Sequence, residues 1–214
     1  MKTEWCAETA TKAYIDTVKT LNPRGSFPSS NVADLVSAMA AGSKSQLIVE
    51  AWARGGDVAA SVGLSIASRH TRGRHVCIVL DERSRLEYVE ATRLAGVFPE
   101  MVVGEAEEAM GGLSGVDFVV VDCRRKDFAK VLRFAKMSPR GGVMVCKNAH
   151  QLAVPGFRWQ SVLGSEARVT RAAFLPVGNG VEIAQVGFFA GAGNRGRWIT
   201  HVDKKTGEEH VFRR

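Results

Sequence analysis

Five segments of this chain are apolar at nearly every successive position: QLIVEAW (46–52), HVCIVLD (75–81), MVVGE (101–105), VDFVVVD (116–122) and GGVMVCKN (141–148). A strand with one face in water alternates, because its side chains point to opposite sides of the sheet. Strands that are apolar throughout are covered on both faces, which is the mark of a parallel sheet built from strand–helix–strand units. Helical patterns separate most of them. In the one expected over 126–137, Phe128, Val131, Leu132 and Ala135 form one stripe, and Lys126, Lys130 and Arg133 another. Earlier, residues 8–21 read as a helix with Ala10, Tyr14, Val18 and Leu21 on one side. A second helix is expected at Val32–Ala41, with Asn31 as its N-cap. The Pro/Gly/Ser-rich link NPRGSFPSS lies between them.

After residue 165 the pattern changes. ARVTRAAFLPVGNGVEIAQVGFFAG reads as two strands around a GNG turn, a hairpin added to the parallel core. The tail RWITHVDKKTGEEHVFRR alternates around DKKTG, so 191–214 reads as a second, basic hairpin or arm with His201 and His210 as cross-strand neighbours. One domain over 1–214 suits the length, with 1–30 as an N-terminal helix and linker. The mixed charges of the first turns leave no apolar leader or membrane span. Four cysteines do not make a disulfide framework. Cys77 and Cys146 fall inside apolar runs as core thiols, and the spacing of the four matches no metal motif. An intracellular setting, cytoplasmic or nuclear, fits these features.

In an open parallel sheet, ligands bind beyond the carboxyl ends of the strands. The residues expected there are Glu50 to Asp57, Asp81 and Glu82, Gly104 to Ala106, Asp122 to Arg125, and Lys147 to His150. Three strand ends carry acids: Glu50, Asp81 and Asp122. An acid at the end of the second strand commonly takes a ribose hydroxyl; such acids also cap helices. His70 and His75 flank the basic turn RHTRGRH and read as surface residues. No G-x-G-x-x-G follows the first strand, which argues against a nicotinamide-dependent reductase.

The formal charge is +7, and residues 124–140 alone hold seven Lys/Arg against one Asp. A focused field of this kind favours anionic partners. Arg54, Arg124, Arg125, Lys126, Lys130 and Arg133 are the candidates to engage one, with a solvated basic surface as the other reading. The basic faces lack interleaved aromatics, which counts against single-stranded nucleic acid.

The order of these pieces resembles class I S-adenosylmethionine-dependent methyltransferases, most closely the catechol and caffeoyl-CoA O-methyltransferase group. QLIVEA is similar to that group's first strand and acid, and GEAEEAM to its adenine-lining segment. VDFVVVDCRRKDF is similar to its fourth-strand segment, SPRGGVMVCKN to its "R-P-G-G-x-x-x-x-D-N", and FLPVGNGVEIAQ to its "L-P-I-G-D-G". The whole chain further resembles a plant family of unknown function within that superfamily. The resemblance implies a Rossmann-like methyltransferase fold: a mostly parallel sheet of about seven strands, a C-terminal antiparallel hairpin and helices on both faces. It also implies S-adenosylmethionine as cofactor, held by Glu50, Trp52, Gly55, Gly56, Asp81, Gly104, Glu105 and Ala106.

Two departures bear on activity. The group's "E-x-G-x-x-x-G" reads Glu50-Ala-Trp52-Ala-Arg54-Gly55-Gly56, so a side chain of roughly 150–250 Å² stands where a cofactor would meet bare backbone. Either the ring packs elsewhere or the pocket is closed. Arg54 either holds a carboxylate or phosphate bidentately or lies on the surface, and Asp57 is expected to cap the following helix. The second departure is at the metal of the catechol-type enzymes. Asp122 and Asn148 match two of its ligands, but Lys147 replaces the third. An ammonium about 4 Å from a divalent cation is repelled by roughly 8 kcal/mol at an effective dielectric near 20, so no metal is expected. Without metal, Asp122, Lys147 and His150 are the candidate catalytic groups, as orienter, clamp and base; in the other reading His150 caps a loop and Lys147 pairs with a neighbouring acid.

Two functions follow as expectations. One is a methyltransferase-like protein with a degenerate cofactor loop, acting if active on an unknown acceptor without metal. The other is a non-catalytic binding protein that engages an anionic partner, such as RNA, a nucleotide or an acidic protein.

Overall fold

The computed structural model describes residues 5–21, 30–152, 158–163, 167–188, 198–202 and 209–213. The link at 22–29 and the tail's turn at 203–208 lie outside them. In chain order the elements are α1 (Ala7–Leu21), α2 (Ser30–Gly42), β1 (Leu47–Ala51), α3 (Ala59–Thr71), β2 (Arg74–Val79), α4 (Glu82–Leu94), β3 (Glu100–Val103), α5 (Ala106–Gly111), β4 (Ser114–Val116) and β5 (Phe118–Asp122). Then follow α6 (Phe128–Phe134), β6 (Lys136–Met137), β7 (Gly142–Lys147), a 3-10 turn (Ala149–Leu152), α7 (Trp159–Val162), β8 (Ala167–Leu175), β9 (Val181–Phe188), β10 (Trp198–Val202) and β11 (Glu209–Arg213).

All five apolar segments are strands of one sheet, in the order β3-β2-β1-β5-β7-β9-β8. The first five are parallel, and β9 joins antiparallel to β7 and β8. Both faces are covered, as continuous apolarity requires. Ile48, Phe118, Val120, Val143 and Val145 pack with residues of α1, α2 and α3. Val49, Ala51, Val76, Ile78, Val119, Val121 and Cys146 pack with α5, α6 and α7 on the other side. The tail pairs as β10 with β11, and His201 stands opposite His210. Cys77 and Cys146 are buried free thiols, and burial pushes both well above the usual thiol range.

Four local expectations are corrected. The inward residues of α1 are Ala10, Ala13, Thr17 and Leu21, while Tyr14 is exposed. Thr17 faces α2 because its hydroxyl has partners there and in its own helix, donating to Ala13 O at 2.8 Å and sharing a 2.8 Å hydrogen bond with the Ser37 hydroxyl. Helix α2 starts at Ser30, so Asn31 lies inside it. The helix expected over 126–137 is only α6, because Lys136–Met137 pairs with β4 as a two-residue strand. Its apolar stripe keeps its role: Val131 and Leu132 are buried, and Phe128 and Ala135 pack against the core. Finally, His75 is buried and not a surface residue. It falls in β2 on the same side as Cys77, under α3, where its Nδ1 shares a 2.9 Å hydrogen bond with Ser65 Oγ.

Candidate functional site

Strand order fixes where a ligand crevice opens. From β1 the chain runs outward through β2 to β3, then returns to the other side of β1 as β5. The crevice therefore lies between the carboxyl ends of β1 and β5, walled by the turns at 52–58 and 123–127.

Three side chains of this protein are packed at these turns. Trp52 is 1% exposed. Its ring meets Tyr88 of α4 edge to face, with centroids 5.3 Å apart and planes at 67°. Its Nε1 donates to Asp57 O at 3.2 Å, and Val58, Cys77 and Val79 complete the packing. Arg124 reaches across from the β5 side. It grips Asp122 through Nε at 3.0 Å and Nη2 at 2.6 Å. Its guanidinium lies against Gly56, where an added Cβ would stand 2.8 Å from Nη2 and 3.1 Å from Trp52 Nε1. Arg125 closes the floor. Its Nη1 donates to Trp52 O and Ile78 O at 3.3 and 3.0 Å, and its other nitrogens hold Asp127 at 2.7 Å.

Below the crevice lies a buried ionic cluster drawn from three adjacent strands. Glu50 of β1 and Asp122 of β5 are fully buried, and Lys147 of β7 is 4% exposed. The Lys147 Nζ is 3.6 Å from Glu50 Oε1 and 3.9 Å from Asp122 Oδ2. Tyr88 donates to Glu50 Oε2 at 3.3 Å, and His75 Nε2 stands 3.6 Å from the same oxygen. Asn148, in the left-handed conformation at φ +60°, turns its amide back so that Nδ2 donates to Asp122 Oδ1 at 2.9 Å. Burial works against ionisation of both carboxylates. For Glu50 it is outweighed by His75 and the Lys147 charge, and for Asp122 by Arg124 and Lys147, so both lie below the usual carboxylate range. Burial likewise lowers Lys147, but Glu50 and Asp122 overcome it and hold the ammonium above its ordinary value.

The other sequence-predicted residues are placed as follows. Asp81 is the N-cap of α4, its Oδ1 accepting the Ser84 N–H at 2.7 Å, and that bond holds it low. Asp57 accepts the Ala59 N–H at 3.1 Å. Arg54 lies on the surface, its Nε 3.3 Å from Glu87 of α4, and Glu87 also accepts the Gly55 N–H at 2.9 Å. Gly104 follows β3, with Glu105 and Ala106 opening α5. His150 is exposed, and its ring meets Phe174 on β8 edge to face at 5.6 Å. Of the basic candidates, Arg125 is buried and Arg124, though exposed, is paired with Asp122, while Lys126, Lys130 and Arg133 are exposed.

Sequence reasoning missed Tyr88 and misread His75 and Arg125. Tyr88 had a signal: Ser84, Tyr88 and Thr92 recur at helical spacing and form the buried stripe of α4. Arg125 had none, because a basic run does not reveal which member turns inward.

Among the described residues, no group of three or more His, Cys, Asp or Glu is placed to hold a metal ion. Asp122 and Asn148 bond each other, and an ammonium stands between the carboxylates. The site as arranged does not fit a divalent cation.

The strand order, the buried acid ending β1 and the crevice beside it define a Rossmann-like methyltransferase fold. Solved structures with that fold include the SAH-bound Podospora anserina methyltransferase PaMTH1, at 16% identity and TM-score 0.54, covering 87% of this chain and 90% of that one. The SAM complex of the O-methyltransferase TomG from Streptomyces achromogenes is 20% identical at TM-score 0.53, covering 87% and 99%. The SAH complex of an O-methyltransferase from Bacillus cereus is 15% identical at TM-score 0.51, covering 82% and 90%. No curated protein matches the chain. The chain belongs to the family described as "Protein of unknown function (DUF1442)", which matches residues 1–214.

Proposed function

We propose that this is a methyltransferase-like protein whose cofactor place is closed by its own side chains, and that in this form it is non-catalytic. The observation that carries the reading is the buried Trp52 ring together with the Arg124 guanidinium laid over Gly56. By the strand-end rule, S-adenosylmethionine, the ligand in the TomG complex, would enter between β1 and β5. The residues there do not fit it as they stand, and the acid after β2 is spent as a helix cap.

Isothermal calorimetry with S-adenosylmethionine and its demethylated product tests the proposal. The expected result is no binding to the wild type at millimolar ligand, with or without Mg²⁺. Saturable micromolar binding would overturn it and would support a metal-independent methyltransferase, in which Arg124 leaves Asp122 on ligand entry. Arg124 is the residue to free in that case, since its side chain is 37% exposed and Trp52 is not.

The function of a non-catalytic form is then binding. The exposed Lys126, Lys130 and Arg133 support an anionic partner, because the one acid among them, Asp127, is held by Arg125. Such binding weakens steeply with salt.

A further inference from the structure

Four buried polar atoms around one carboxylate lack a hydrogen-bond partner: Glu50 Oε1, Ser61 Oγ, His75 Nε2 and Lys147 Nζ. Orphans of this kind are rare in folded proteins and call for a physical reason. The Lys147 ammonium supplies part of it. A lysine that donates to a carboxylate approaches to about 2.7–2.9 Å, yet here the nitrogen is 3.6 Å from Glu50 and 3.9 Å from Asp122. It sits between the two acids, bonded to neither, as a centred ion would.

Glu50, Asp122 and Lys147 come from three adjacent strands, so their contacts tie the carboxyl ends of β1, β5 and β7 across the sheet. Two carboxylates buried within 3.9 Å of one ammonium repel each other strongly unless a positive charge separates them. Arg124 neutralises Asp122 from the crevice side. Lys147 is the cation that Glu50 has from the β7 side.

We propose that Lys147 is a built-in cation that holds these three strand ends together, and that removing it leaves the Glu50–Asp122 pair able to take a divalent cation. The donors for one are hard oxygens, and one of them, Glu50 Oε1, is bare. Lys147 is thus a positioning residue for the crevice wall, and its charge, more than its length, is what the site uses.

The test is Lys147→Asp and Lys147→Met, each purified metal-free and refolded with and without millimolar Mn²⁺. Binding is read from the electron paramagnetic resonance of free Mn²⁺ and from Tm. Lys147→Met, which leaves the Glu50–Asp122 pair alone, and Lys147→Asp, which adds a carboxylate to it, are each expected to bind one Mn²⁺ and to gain about 5 °C or more on saturation, a stabilisation set by ligand excess. Wild type and Lys147→Arg are expected to show neither response. If Lys147→Asp fails to fold without Mn²⁺ and folds with it, the proposal is equally upheld. If it folds under neither condition, Lys147→Met decides: no Mn²⁺-dependent gain there overturns the proposal, as does wild-type binding of Mn²⁺ at these residues. No methyl donor enters this experiment, so its result is separate from that of the calorimetry above.

Discussion

Replacing Trp52 with alanine probes whether the crevice is closed from within. The ring is almost wholly buried, packs on Tyr88, Val58, Cys77 and Val79, and spends its N–H on Asp57 O. Large aromatic-to-alanine changes in cores cost about 3–5 kcal/mol, and an edge-to-face partner adds to area burial alone. The 3.2 Å hydrogen bond closes a local loop and contributes little by comparison. A loss of about 4 kcal/mol is therefore expected. For a chain of this length it lowers Tm by about 8–16 °C. Urea unfolding followed by tyrosine and tryptophan fluorescence measures it, with Trp52→Phe as the control that keeps the Tyr88 contact and loses less than half as much. A cost below about 1 kcal/mol would mean that the ring is not core. The account of a crevice filled from inside would then fail.

Other outcomes follow from the same geometry. The depressed carboxylates of Glu50 and Asp122 contribute stability above their unfolded range and lose it as pH falls through the folded values. Lys147, raised, keeps its contribution until pH climbs past the lysine range. Urea midpoints should therefore fall on acidification, and Glu50→Gln should flatten that acid limb while lowering stability at neutral pH; an unchanged limb would refute the assignment. Gly63→Ala sets helix propensity, a gain of about 1 kcal/mol, against a Cβ 2.5 Å from Ala33 O of α2. Overpacking of about 1–3 kcal/mol should win, and a raised Tm would show that α2 can move aside. Asp81→Ala should lower Tm and Asp81→Ser restore it, since either oxygen can cap α4; equal losses would argue against capping.

The architecture was written in the chain because it depends on local pattern. Continuous apolarity in QLIVEAW, HVCIVLD and VDFVVVD can be satisfied only between two layers of helices, and GNG can turn only tightly. The site was legible in part: Glu50, Asp122 and Lys147 stand near the ends of adjacent strands, where register pairs Asp122 with Lys147 and sets Glu50 opposite Val120. What the sequence left open was direction. Trp52 could have swung outward, but burial beside Tyr88 removes its ring from water and still pairs its N–H. Two adjacent arginines, Arg124 and Arg125, look alike in one dimension. The turn after β5 sends one across the crevice to Asp122 and Gly56 and the other inward to carbonyls of Trp52 and Ile78. His75 looked like part of a basic surface turn until the phase of β2 carried it under α3. These choices are settled by which groups find partners once water is excluded, and that depends on residues far apart in the chain.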